Sequence, residues 1–488
     1  MKSLLWTAAC LVVAQLGWSQ SINQLQQLDS VFIESKNNLD RQDSGRVTTI
    51  ISEEELSTQA GNSLAQVLNQ VAGIEINGAR SNAGQNLGYY VRGGRNRQVV
   101  IMLDGVQLND PSSISNDFDL RLIPASSVEQ IEIIKGASSV LYGSGAATAV
   151  ISITTKKVGE DPISGQFAST LASNRSTEEG GYGPAEIVNS AQIGGTSSGF
   201  SYDIRLDHRF TDGISAVAAP EGEPAFEADI FNRYNTRLEL GYQFKNGPKI
   251  SRFVSKDRFK ADFDEFSYVD ADNRTISDQV RTGGNLNWQF GKGAWVLNDS
   301  HSWLERETDS GFPTRFESTS STFDTYFSYP VHQSLTVLVG VNANWSRFSG
   351  FSVLFGGTDL EETVSDDLAR FDIIDPYLNL TYISDFGLNV NAGVRMNNHS
   401  DYGQNWVYQV NPSYRFDLGS GVMRILASYS TAYITPPYFS FMIRSMGTPS
   451  CSRKRIKPSK GAWNIRWLET GDSVRSILTA RINSLSIL

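Results

Sequence analysis

Three sets of residues have types and spacings that chemistry can use. Gly143-Ser144-Gly145 begins like a loop that cradles phosphate on backbone N–H groups. Such a loop needs a third glycine or a Gly-Lys-Ser/Thr run and then a helix. Here neither glycine pattern continues and a strand pattern follows, so nucleotide binding is set aside. Arg92-Gly93-Gly94-Arg95-Asn96-Arg97 is a cationic loop whose plainest reading is a solvated turn. The acidic stretches Asp262 to Asp272 and Asp359 to Asp367 carry carboxylates of the kind that bind Ca²⁺, though their default is solvated charge. The histidines and cysteines form no ligand cluster, and no Ser/His/Asp spacing occurs, so neither a catalytic site nor a resident cofactor is expected. A net charge of -10 argues against nucleic acid as a partner.

The elements that position these residues read as an α+β domain over residues 45–157. Val47 to Ile51 is a β-branched strand, and Ser52 followed by Glu55 is a capping-box pattern that starts a helix. Leu64, Val67, Leu68 and Val71 form the apolar stripe of a second helix, with Gly73 placed to end it. Ile74 and Ile76 resume extended chain. Val99 to Leu103 and Val106 to Leu108 flank Asp104-Gly105, a two-residue hairpin turn that needs positive φ. Val128 to Ile134 leads through Lys135-Gly136 and Tyr142-Gly143 to a last strand ending near Thr155. Glycine, alanine and serine are abundant throughout.

The ends and the remainder point to the cell envelope. Lys2, the apolar run Leu4 to Leu16 and Gly17-x-Ser19 form a signal peptide, with cleavage after Ser19. Those apolar residues fall short of the roughly 20 that span a bilayer. After cleavage only Cys451 remains, which excludes a disulfide within the chain. Beyond Lys157 the pattern becomes strict alternation. Leu378 to Tyr382, the turn Ser384 to Gly387 and Leu388 to Arg395 give one apolar and one polar face, as do Leu335 to Trp345 and Leu238 to Phe244. No later run is apolar enough for a membrane helix, so a membrane domain here must be a closed β-barrel. A soluble β-sandwich is the competing reading of the same alternation.

The strings "SEEEL", "SLAQVLNQVAGIEI", "YYVRGGRNRQVVIMLDGVQLNDP" and "VEQIEIIKGASSVLYGSGAATAVISITTKK" resemble the plug domain of TonB-dependent outer-membrane receptors from end to end. The resemblance implies an α+β plug inside a transmembrane antiparallel β-barrel of 22 strands, and marks Arg92, Gly93, Gly94, Asp104, Gly105, Gly136, Tyr142 and Gly143 as plug signature. It also makes Asp29, Ser30, Val31, Phe32, Ile33 and Glu34 the TonB box, the segment that pairs with the energy-transducing TonB complex. An extended, proline-free hexamer suits strand addition to a partner's sheet. Little chain separates cleavage from this box, so no further N-terminal domain is expected. The implied function is active import of a scarce small-molecule ligand across the outer membrane, in contact with outer-membrane lipid and without covalent chemistry. The strings "SNAGQNLGYYVRGG" and "SNDFDLRLIP" look most like the cobalamin receptor subgroup, with ferric siderophores as the alternative and a passive porin as a further one.

The reading divides the chain into residues 1–19 as signal peptide, 20–44 as TonB box and linker, 45–157 as plug, 158–436 as partial barrel and 437–488 as an out-of-frame tail. Residues 438–488 carry nine Lys or Arg against only Glu469 and Asp472, unlike the acidic chain before them. Plausible codons for "YFSFMIRSMGTPSCSRKRIKPSKGAWN", read one base off, allow "LFQLYDPIYGNPELQPEENQTIEGGLE", which is what such a barrel carries after "STAYITP". A one-base frameshift near codon 436 follows, and with it an unfinished barrel that inserts poorly.

Overall fold

The computed structural model describes residues 32–33, 36, 39–40, 45–173, 183–265, 267–354, 356–418, 421–435, 455–456 and 462–466. The expected signal peptide and most of the tail lie outside these residues. So do Asp29, Ser30, Val31 and Glu34, while Phe32–Ile33 forms a short strand paired antiparallel with Leu39–Asp40.

The first domain opens with β1 (Val47–Ile51), which hands over to α1 (Glu53–Ser57). The Glu55 N–H donates to Ser52 Oγ at 3.2 Å and the Ser52 N–H donates to Glu55 Oε2 at 3.0 Å, a complete capping box. α2 (Leu64–Asn69) has a second box, Ser63 with Gln66, and buries Leu64, Ala65, Val67 and Leu68. It ends before Val71, because Asn69 turns its side chain to accept a hydrogen bond from the Ile76 N–H at 2.8 Å. β2 (Ile74–Asn77) pairs with β3 (Gly88–Val91). β4 (Val99–Leu103), β5 (Val106–Leu108), β6 (Val128–Lys135) and β7 (Ala149–Thr155) join β1 in one sheet ordered β1-β6-β7-β4-β5. Only β4 and β7 run parallel. Ile101, Ile131, Ile133, Ile151 and Ile153 fill its core with Leu64 and Leu68 of α2. α3 (Ser139–Tyr142) is a single buried turn between β6 and β7.

The second region is a long antiparallel meander from Ser164–Ala172 to Gly421–Ser430. Its strands reach 22 residues, as in Val269–Phe290. Connections at one end are tight, such as Ser198-Gly199 and Gly291-Lys292, while those at the other include the long stretches 212–230 and 354–369. This asymmetry is that of an outer-membrane barrel, with short turns toward the periplasm and longer loops outside.

Burial decides between barrel and sandwich. In Phe200–Thr211 the charged residues Asp203, Arg205, Asp207 and Arg209 are buried at 5–8% exposure, whereas Ile204 and Leu206 are 41% and 53% exposed. A water-soluble sandwich would bury the isoleucine and leucine instead. Here the polar face meets the plug and the apolar face is left for lipid. Aromatic rings gather near the short-turn end of that outer face. Trp295 stacks on Phe327 at 5.5 Å, Trp288 lies 6.4 Å from Trp295, and Tyr242 meets Phe244 at 4.8 Å. Such rings settle at the headgroup level of a bilayer. Among the described residues no helix is long and apolar enough to cross a membrane.

Among the described residues the sheet is an open path. Ser164–Ala172 pairs only with Glu186–Ser197, and Ala462–Arg466 is added beyond Gly421–Ser430 at the far end. The 22-stranded closure implied by the resemblance is therefore not reached in these residues.

Candidate functional site

Arg92, Gly93 and Gly94 form a packed turn at the end of β3. Arg92 has φ +50° and Gly93 φ +82°. The Val91 N–H donates to the Gly94 carbonyl and the Gly94 N–H to that of Val91, both at 2.9 Å, while the Arg92 N–H donates to the Gly73 carbonyl at 2.9 Å. A Cβ on Gly94 would lie 2.3 Å from the Thr148 side chain, so the turn is pressed against the chain leading into β7. Gly136 has φ +116° and donates its N–H to the Thr148 carbonyl at 2.7 Å.

Asp104 and Gly105 make the β4–β5 turn with φ of +50° and +82°, as a two-residue hairpin of this hand requires. The Asp104 carboxylate has a second role. It accepts from the Thr155 N–H at 2.9 Å and from Thr155 Oγ1 at 3.0 Å, and pairs with Arg237 of the wall at 3.3 Å. Gly143 brings plug backbone tightly against the wall: its φ is +83°, and a Cβ there would stand 2.7 Å from Arg395 Nη2. Arg395 itself is buried, with Asp375 at 2.8 Å and Asn342 Oδ1 at 2.9 Å.

Tyr142 and its neighbours form a cage around a residue the sequence reading did not single out. Lys36 follows the hexamer and is buried, its Nζ 2.8 Å from Asp324 Oδ2 on the wall. The same ammonium donates to the Leu141 carbonyl of α3 at 2.8 Å and to Tyr377 Oη at 3.3 Å. Tyr377, Tyr142 and Tyr326 surround it, ring centres at 4.9, 5.5 and 5.8 Å. Burial lowers the Lys36 pKa from its usual value, against the opposing pull of Asp324. Lys36 thus ties the chain after Phe32–Ile33 to plug and wall at once. A lone lysine in a linker gave no signal in the sequence, whereas its acceptor Asp324 lies on the wall's polar face.

At the long-loop end two plug segments meet the wall. Asn82 donates to Asp229 Oδ2 at 3.0 Å and to the Ile214 carbonyl at 2.5 Å. Burial raises the Asp229 carboxyl to about 6, helped by Asp264 and Asp262 and opposed by hydrogen bonds from the Ala216 N–H and Asn82. Asp110 pairs with Arg306 at 2.7 Å, and Asn109 Oδ1 accepts from Ser320 Oγ at 2.9 Å. A cavity of about 330 Å³ lies between plug residues 78–87 and the first wall strands. Among the described residues no group of three or more His, Cys, Asp or Glu side chains is placed to hold a metal ion.

A folded plug seated on the polar face of a long antiparallel meander whose other face is apolar has the arrangement of a plugged outer-membrane β-barrel, left open among the described residues. Residues 40–150 match the family model of the TonB-dependent Receptor Plug Domain. The vitamin B12 transporter BtuB of Photobacterium profundum is 23% identical over 431 residues, covering 84% of this chain and 62% of that protein. Among solved structures, a ferric enterobactin receptor (PfeA) mutant from Pseudomonas aeruginosa is similar, with TM-score 0.63 and 17% identity over 80% of this chain and 63% of that one. The copper transporter OprC is also similar, with TM-score 0.68 and 15% identity over 88% of this chain and 71% of that one. Together these support a TonB-dependent receptor of the plug-and-barrel kind, located in the outer membrane. The chain spans about 62% of the length of the curated relative it matches.

Proposed function

We propose that this chain is part of an active importer that binds a ferric siderophore at the long-loop end and releases it inward when the TonB complex draws on residues 29–34. The observation that carries this reading is Lys36, buried between plug and wall directly after the expected box. A pull on the box is delivered to the plug–wall seam there, which a passive porin has no need of. The eight plug signature residues lie at turns and close approaches of the plug, and their role in this account is to shape it.

The siderophore is preferred to cobalamin because structural likeness to a ferric enterobactin receptor covers most of this chain. Cobalamin stays as the second reading on the strength of the B12 transporter relative and the two plug strings. Uptake of radiolabelled iron as a siderophore chelate, beside radiolabelled cobalamin, in cells carrying the frame-restored gene tests this. Iron uptake is expected; uptake of cobalamin alone would reverse the choice. Equal uptake of unrelated small solutes would point to a porin, and recovery of the protein outside the cell to an adhesin. We also propose that residues 437–488 are read out of frame. DNA encoding the tail with no overlapping barrel frame would refute that.

A further inference from the structure

The outer wall carries an ion pair at a depth where lipid does not answer charge. Three neighbouring strands, Lys249–Glu265, Val269–Phe290 and Gly293–Asp309, pair in register, with Gly284 opposite both Arg252 and Asp299. These strands bury Ser255, Gln279, Arg281 and Asn298 on the plug side, so alternation turns Arg252, Gly284 and Asp299 outward. Arg252 is 60% exposed and pairs with Asp299, which is 29% exposed. Gly284 permits the pairing, because a Cβ there would stand 2.6 Å from Arg252 Cδ. The Arg252 side chain therefore crosses the neighbouring strand instead of reaching along its own toward headgroups.

The depth follows from the register. Trp288 and Trp295 are directly paired at the short-turn end, within the ring cluster that marks the headgroup level. Gly284 and Asp299 each stand four residues further along their strands. At about 3.3 Å per residue and a tilt of about 40°, this is about 10 Å into an apolar band about 25 Å tall. Two residues on, Thr282 lies opposite His301, which is hydrogen-bonded to Ser321 at 2.6 Å, so the polar character continues. On the preceding strands the same rows hold Leu238, Leu240 and Ile204. Lys256 and Arg258 also face outward, but they stand toward the far edge of the band and share Asp278 at 3.3 and 3.8 Å. A charge inside the band is costly, and one that is kept there marks a face turned to something other than lipid.

We propose that a second copy of this chain covers the patch, related by a two-fold axis that runs along the membrane normal through Gly284. Arg252 and Asp299 flank Gly284 on opposite sides, so the axis sets the Arg252 of each copy against the Asp299 of the other. The two ion pairs then close into a ring of four alternating charges, withdrawn from hydrocarbon. Both copies insert in the same sense, which a two-fold along the normal preserves. Association inside a bilayer draws on packing and polar contacts of this kind, because lipid tails supply no hydrophobic drive between apolar walls. A divalent cation would answer Asp299 and leave Arg252, and a lipid phosphate would do the reverse. A second copy answers both. The proposal depends on the outer face meeting lipid and is independent of which ligand is imported.

The test is energy transfer between donor-labelled and acceptor-labelled full-length chain at high dilution in phosphatidylcholine vesicles free of divalent ions. The dye is placed on Cys451, with Cys10 changed to Ser. Transfer above that of randomly dispersed chains is expected. Arg252→Asp alone and Asp299→Arg alone are each expected to weaken association about tenfold or more, the worth of one charged hydrogen bond. Mixing the two variants is expected to restore it, since each supplies the charge that the other lacks. Trypsin resistance equal to that of the native chain shows that a variant is folded, and Arg252→Gln with Asp299→Asn, each weakening transfer, serves where a reversal does not fold. Absence of transfer in the native chain overturns the proposal. So does transfer that both reversals leave unchanged, or a mixture of folded reversals that stays apart. Transfer that appears only when Ca²⁺ is added assigns Asp299 to a cation and overturns it as well.

Discussion

Replacing Lys36 with Met removes the charge that joins the segment after the expected TonB box to both plug and wall. In the native seam its Nζ meets Asp324 and the Leu141 carbonyl, each at 2.8 Å, with side-chain exposures of 5% for Lys36 and 8% for Asp324. Taking one partner from a buried ion pair costs about 3–5 kcal/mol, chiefly because the other charge is left behind. Tyr377 Oη still donates to Asp324 Oδ1 at 3.0 Å and offsets part of that, which argues for the lower end. At about 3 kcal/mol, release of the segment becomes more frequent by roughly 100-fold. Hydrogen exchange of a peptide covering residues 32–46 in the purified chain reads this directly. K36M should lose protection there, while peptides from β6 and β7 keep theirs. The double variant K36M/D324N should be less damaging than the sum of its singles, since each removes the same contact. Unchanged exchange in K36M, or strict additivity, would show that the seam is held by something else.

Three further outcomes follow from local geometry. Asp229 is raised from 3.8 to about 6, so the folded loop holds its proton where the free chain does not; its contribution is full below about 3.8 and is lost as pH rises through about 6. Protection factors across residues 212–230 should fall over that window in the native chain and stay level in Asp229→Asn, and identical profiles would contradict the assignment. Gly143→Ala places a Cβ 2.7 Å from Arg395 Nη2 at φ +83°, and a loss of about 1–3 kcal/mol in thermal unfolding is expected, with an unchanged midpoint counting against the close approach. Leu206→Arg puts a charge on the outer face, where Leu206 is 53% exposed, and should cost about 2–4 kcal/mol of stability in vesicles; no cost would mean that face does not meet lipid.

Much of this was legible because local rules and the fold agree. The Ser52–Glu55 capping box, the Asp104-Gly105 turn and the two-residue alternation from Leu378 to Arg395 each state their structure in adjacent residues. The sign of burial was legible too, once lipid rather than water was taken as the outer solvent. The helix reaching Val71 stopped at Asn69 because a side-chain bond to Ile76 competes with the next helical turn, and periodicity does not register such competition. The cluster of Trp288, Trp295 and Phe327 escaped because its rings come from three different strands. Lys36 escaped for a stronger reason: its partners Asp324 and Tyr377 lie about 300 residues away in sequence. The cavity between plug residues 78–87 and the first wall strands likewise joins a plug turn to distant strands, and no spacing within either announces it.

The central claim is that import is driven through residues 29–34. Energised uptake of a radiolabelled ferric siderophore should be measured in cells bearing the frame-restored receptor with and without these residues, alongside binding at the cell surface. Loss of uptake with surface binding retained is the predicted result. Uptake that continues unchanged after the deletion would contradict the account.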